Sequence, residues 1–155
     1  THFVFADGDS IVGAYDTIIG YDAASNTSTL MGDALDFAAA TVGTSIGSTD
    51  SGTILSHSLA NGKVSFDDAG TYAAAVVVNS NNLADVTGYL NANLGAATTV
   101  IFEFDRDSNG TSDSTMVYTN LATGDDTLVM LQDVIGAGLS ATATFTTTDD
   151  YVIIA

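Results

Sequence analysis

Thr98-Thr99-Val100-Ile101-Phe102-Glu103-Phe104, then Asp105-Arg106-Asp107-Ser108-Asn109-Gly110-Thr111-Ser112-Asp113, then Ser114-Thr115-Met116-Val117-Tyr118-Thr119 is the stretch that decides the fold. Its two outer runs are rich in β-branched and aromatic side chains, which suit a pleated, half-buried surface. A tight polar loop joins them, so the stretch reads as a β-hairpin. Downstream, Thr127-Leu128-Val129-Met130-Leu131 gives a further strand after the turn Gly124-Asp125-Asp126. Ala141 to Thr148 alternates small residues and Thr around Phe145, and the chain closes with Tyr151-Val152-Ile153-Ile154-Ala155. Upstream, Leu83, Val86, Leu90 and Leu94 recur at helical spacing, with Ser80 or Asn81 placed to cap the helix and Gly95 to end it. Lys63 to Phe66 alternates as a half-buried strand. Ala73 to Val78 is a continuous apolar run that suits a strand buried on both faces or a short helical segment. Nearer the N-terminus, His2 to Phe5 and Tyr15 to Tyr21 read as strands. Gly32 to Ala40 reads as a short helix with Leu35 and Ala38 to Ala39 on one face, and Gly43 to Gly52 as a loop. The expected fold is mainly β, a sandwich or roll-like arrangement with one or two short helices, in a single domain over residues 1–155. No repeat of fixed period is present.

The loop inside the hairpin carries the one motif with strong chemistry. Asp105 to Asp113 has the form D-x-D-x-N-G-x-x-D. Calcium is a hard cation that takes about 6–8 oxygen ligands. Asp105, Asp107 and Asn109 alternate, so their side chains can converge on one ion as the chain curls. Gly110 permits the sharp turn, Thr111 can offer its carbonyl, and Asp113 can close the far side. These five residues are the candidate metal ligands, with Ca2+ as the expected cofactor. Magnesium fits less well, because it demands stricter octahedral geometry and retains more water. The alternative is an Asx-rich turn that holds no metal. Asp7 and Asp9, with Asp16 or Asp22, form a weaker second candidate. Asp67-Asp68, Asp125-Asp126 and Asp149-Asp150 read as solvated turns, since adjacent carboxylates on a strand point apart.

Charge sharpens this reading. Nineteen acidic residues face two basic ones, Lys63 and Arg106, for a net charge of −17, and Glu103 is the only Glu. Asp favours turns and metal loops over helices. Self-repulsion destabilises such a chain and divalent cations relieve it. A phosphate backbone needs a basic face, so nucleic acid is not an expected partner. Anionic membrane surfaces are disfavoured likewise. No apolar run approaches the roughly 20 residues of a membrane helix. At 46% hydrophobic residues, the chain holds enough apolar surface for a core despite its charge. Without Cys, disulfides contribute nothing.

The motif resembles the calcium-binding hairpin loops of integrin α-subunit propeller blades, where D-x-D-x-D-G-x-x-D lies between two strands and the ninth position closes the site. An EF-hand is a poorer match, because its twelfth position is acidic and Met116 stands there. Asn109 in place of Asp removes one charge, which suits millimolar extracellular calcium. Asp149-Asp150-Tyr151-Val152-Ile153-Ile154-Ala155 resembles the terminal signal of type I secreted bacterial proteins, and reads equally as a last strand. Phe3-Val4-Phe5-Ala6-Asp7-Gly8-Asp9 leading to Tyr15-Asp16-Thr17-Ile18-Ile19 resembles the segment that follows the calcium-binding repeats of such proteins, and the hairpin with Asp126 to Leu131 is similar to the C-terminal modules of bacterial surface-layer and repeat-in-toxin-related proteins. The glycine-aspartate nonapeptide of the repeat arrays is absent. The resemblance therefore implies a terminal module of a larger exported protein, located at the bacterial cell surface or outside the cell. It implies folding with calcium and a structural role, with copies of itself or neighbouring domains as partners.

Catalysis has little to work with. There is no Cys nucleophile, no H-E-x-x-H and no phosphate-binding loop. Ser56-His57-Ser58 lacks the pattern of a triad and reads as a surface loop. A glycosidase pair of Asp carboxylates stays open. The expectation is a non-enzyme. Two other readings remain beside the structural one. A carbohydrate- or host-surface-binding module would need an aromatic-lined groove, which the lack of Trp disfavours although Tyr can substitute. A non-catalytic tail of a secreted hydrolase would need a catalytic domain upstream.

Overall fold

A computed structural model describes residues 1–6, 8–23, 33–37, 41–121, 126–136, 138–139 and 151–152. Ten strands and one helix follow in the order β1 (His2–Phe5), β2 (Asp16–Ile19), β3 (Ala34–Phe37), β4 (Thr41–Val42), β5 (Ser56–Ala60), β6 (Lys63–Asp67), α1 (Leu83–Asn93), β7 (Thr98–Phe104), β8 (Ser114–Asn120), β9 (Thr127–Gln132) and β10 (Tyr151–Val152). Among the described residues the fold is thus mainly β with a single short helix, and no barrel closes. The larger sheet runs β2-β9-β8-β7-β6-β5, with β4 pairing the start of β7. The smaller runs β1-β3-β10.

The predicted hairpin forms the centre. β7 and β8 are antiparallel, with Phe102 opposite Met116 and Phe104 opposite Ser114, and β9 continues the ladder with Val129 opposite Val117. These three strands are buried on both faces, which accounts for their nearly unbroken apolar runs. Alternation then sorts the side chains. Val100, Phe102, Phe104, Met116, Tyr118, Leu128 and Met130 join Val86, Tyr89 and Leu90 of α1 in one core. Ile101, Val117, Val129 and Leu131 join Leu35 and Phe37 of β3, with Phe5 and Ile18, in the other. The large sheet is therefore a middle layer between the helix and the small sheet.

The helix follows its predicted leucine spacing, but its ends differ. Asn82 is the N-cap and its side chain bonds Asn79 N instead of a helical amide, while the Asn79 carbonyl accepts from Leu83 N. Leu94 ends the helix in extended conformation, ahead of Gly95. Two other expectations fail. Residues 34–37 form a strand, not a helix: Ala34, Leu35 and Phe37 are buried between β1 and β10. Here partners on both sides satisfy the backbone, and tertiary pairing overrides a weak alanine-rich helical pattern. Ala73 to Val78 is neither buried strand nor helix; only Val78 is fully buried, while Ala73 to Ala75 and Val77 are exposed. The segment is laid along the sheet by single bonds, Val76 N to Phe66 O and Asp105 N to Val78 O. Ala38 to Ala40, Gly124-Asp125 and Ala141 to Thr148 lie outside the described residues. Of the C-terminal run, Tyr151–Val152 forms a strand antiparallel to β3.

Asp67 holds the start of that laid-down segment. Its carboxylate accepts the amides of Ala69, Ala73 and Ala74 at 3.1, 2.7 and 3.0 Å. Those amides, Ala73 first, hold its pKa down at about 2 against the opposing effect of burial. A depressed folded pKa gives stability that is present above the unfolded value and is lost as pH falls through the folded one. Asp67→Asn should therefore lower the melting temperature by several degrees at neutral pH. The gap between variant and native protein should close between about pH 4 and pH 2. A constant gap across that range, in a series of thermal melts, would show that the charge plays no part.

Candidate metal site

The Asp loop projects from the end of the central hairpin, where the two strands leave the core. Its first residue is anchored there: Asp105 is fully buried, its N–H donates to Val78 O at 2.8 Å, and Asp113 N donates to Phe104 O at 3.0 Å. Ser108 and Gly110 both take positive φ, 57° and 93°, which curls the chain back on itself. This is the turn the glycine was expected to permit; Ser108 pays part of the strain of it.

Within the curl the predicted ligands are drawn together unevenly. Asp105 accepts Asn109 N at 3.1 Å through Oδ1 and Gly110 N at 2.7 Å through Oδ2. Asp107 Oδ1 accepts the same Asn109 amide at 3.2 Å, and its Oδ2 accepts Asn109 Nδ2 at 2.9 Å. Asn109 Oδ1 in turn accepts Thr111 N at 2.9 Å. Burial pushes the Asp105 carboxyl up, but the Gly110 and Asn109 amides and Asp107 outweigh it and leave it below the usual carboxylate range. Asp105 therefore stays ionised inside the fold.

Asp113 has other partners. Its Oδ1 accepts Ser114 Oγ at 2.8 Å and Arg106 N at 3.3 Å, and its Oδ2 lies 3.7 Å from the Arg106 guanidinium. The same guanidinium lies 3.5 Å from Asp133 Oδ1, in the turn that follows β9. Among the described residues, no three His, Cys, Asp or Glu side chains stand close enough to share an ion. The donor set fits calcium in kind, being all oxygen, and the loop backbone is curled as such a loop needs. The departure is Asp113, which is engaged by Arg106 and Ser114 and would have to leave them to join Asp105 and Asp107 around an ion. Asp133 was not anticipated; it comes within reach only because β8 and β9 pair in the register Thr115 to Leu131.

The weaker candidates are used structurally. Asp9 exchanges bonds with Ala6 to close a turn, and Asp7 lies outside the described residues. Asp16 is exposed on β2, and the Asp22 amide donates to Asp33 Oδ2. Asp126 gathers Tyr118 OH, Asn91 Nδ2 and Leu121 N. Asp125, Asp149 and Asp150 lie outside the described residues. His57 is in strand β5, not in a surface loop, and its Nδ1 lies 2.8 Å from the hydroxyl of buried Tyr89, with burial lowering its pKa. Among the described residues no helix is long and apolar enough to cross a membrane. Comparison with known proteins finds no matching family model, no similar curated protein and no similar solved structure.

Proposed function

We propose that this chain is a non-enzymatic, structural calcium-binding module of an exported bacterial surface protein, which binds calcium through Asp105, Asp107, Asn109, the Thr111 carbonyl and Asp113 and packs against copies of itself or neighbouring domains. The observation that carries the reading is the buried Asp105 carboxylate, accepting the Asn109 and Gly110 amides at the root of a glycine-turned Asp loop. An ion held there would fasten β7 to β8, and through Asp105 N and Val78 O the segment laid along the sheet. Its charge of −17 supports the same reading, since a bound divalent cation offsets part of the self-repulsion.

Calcium that binds the native state alone stabilises it by about 2.7 kcal/mol at a hundred times Kd. Thermal melts in calcium against EGTA should show a clear rise in melting temperature, and Asp113→Ala should abolish most of it. Light scattering on the same samples should show particle growth with calcium. A melting temperature indifferent to calcium in the native chain would reject the proposal. A monomer that binds calcium but never grows would confine it to folding.

A further inference from the structure

The chain has two basic side chains, and one of them lies inside the acidic loop. Arg106 follows Asp105 directly, yet its guanidinium reaches across the loop to Asp113 and on to Asp133. The other basic residue, Lys63, is engaged elsewhere, with Glu103 Oε1 at 2.6 Å and Gly136 O at 3.0 Å. Arg106 is thus the local cation of this carboxylate group, and it engages the ninth residue of the motif, the one that departs from the calcium arrangement.

We propose that Arg106 is a built-in competitor for calcium: its ion pair with Asp113 must be given up when Asp113 joins the ion, so Arg106 weakens the site and sets its affinity. This rests on the calcium reading above. A guanidinium is always charged at physiological pH, so the competition does not titrate away. It is partly exposed, which makes its contribution modest and sensitive to salt. A loop tuned in this way fills only where calcium is abundant, and releases it in a calcium-poor compartment. Asp133 strengthens the device because it holds Arg106 next to Asp113 without belonging to the motif.

The test is calcium titration calorimetry on the whole chain, comparing the native protein with Arg106→Gln and Lys63→Gln. Both substitutions remove one positive charge, so they change the net charge equally. Arg106→Gln should tighten Kd roughly two- to fivefold, the range expected when an exposed ion pair no longer competes. Lys63→Gln should leave Kd within that experiment's error. A native chain that binds calcium with an Arg106→Gln variant of equal or weaker affinity would overturn the competitor and leave the calcium reading standing. Equal tightening in both variants would also overturn it, since net charge alone would then suffice. Failure of the native chain and of Arg106→Gln to bind calcium would remove both proposals together; binding by Arg106→Gln alone would support the competitor in its strongest form.

Discussion

Phe102→Ala should destabilise the fold by about 3–5 kcal/mol, the cost of emptying a large aromatic site in a core that cannot collapse around it. Phe102 is 1% exposed, faces Met116 across the β7–β8 ladder, and meets Phe66 edge to face with ring centroids 5.6 Å apart. Phe66 in turn meets Tyr89 of α1 edge to face at 6.1 Å. Removing the ring therefore empties the β7 end of a run of aromatic contacts that passes through Phe66 to Tyr89 of the helix, and the aromatic pair adds its own loss to the cavity. Since a domain of this kind has only some 5–15 kcal/mol in hand, urea unfolding should show a midpoint well below the native one. A shift of under about 1 kcal/mol would mean that the layer relaxes to fill the space.

Gly62→Ala should cost about 2–5 kcal/mol by two separate effects. Asn61 and Gly62 form the two-residue turn between β5 and β6 with φ of 51° and 72°, the geometry in which a Gly second residue is favoured. A methyl group there carries a left-handed penalty of about 1–2 kcal/mol. It would also lie 2.8 Å from Val42 Cγ1, 2.9 Å from Leu139 Cδ1 and 3.0 Å from Leu139 Cβ. Overpacking of this sort adds about 1–3 kcal/mol. The turn also presents its carbonyls to the core layer: Gly62 O accepts Ile101 N and Asn61 O accepts Leu139 N. A displaced turn thus breaks the only register contact of β6 with β7 among the described residues, Lys63 with Ile101. Chemical denaturation should show the loss. A variant as stable as the native chain would mean that Val42 and Leu139 yield without cost.

What the sequence made legible has a physical pattern. The β7–β8 hairpin, β9 and α1 could be read because their side chains repeat at the spacing of one element and are long enough to be diagnostic. Residues 34–37 could not, since alanine and one leucine fit helix and strand alike, and the choice was made by β1 and β10. The Ala73 to Val78 run misled for a related reason. Alanine loses little when left at a surface and a single exposed Val77 is ordinary, so an apolar run of small side chains need not be buried throughout. The Asn61-Gly62 turn is signalled by its dipeptide, which lies between two strand-like runs. In the loop, the curl at Gly110 and the gathering of Asp105, Asp107 and Asn109 follow from local spacing. The grip of Arg106 on Asp113 and Asp133 does not, because it depends on how β8 and β9 are registered.

The order of strands in the two sheets also governs when this chain can fold. β2 pairs with β9, Asp16 beside Val129, and β3 pairs with β10, Asp36 beside Tyr151. Strands β2 and β3 therefore wait for strands far downstream, and neither sheet is complete until β9 and β10 are available. Contacts so distant in sequence carry a large loop-closure cost and are slow to form. Delay is a hazard for a chain that must fold at once where it is made, since unpaired strand edges aggregate. For one that must cross a membrane before folding, the same delay keeps it threadable.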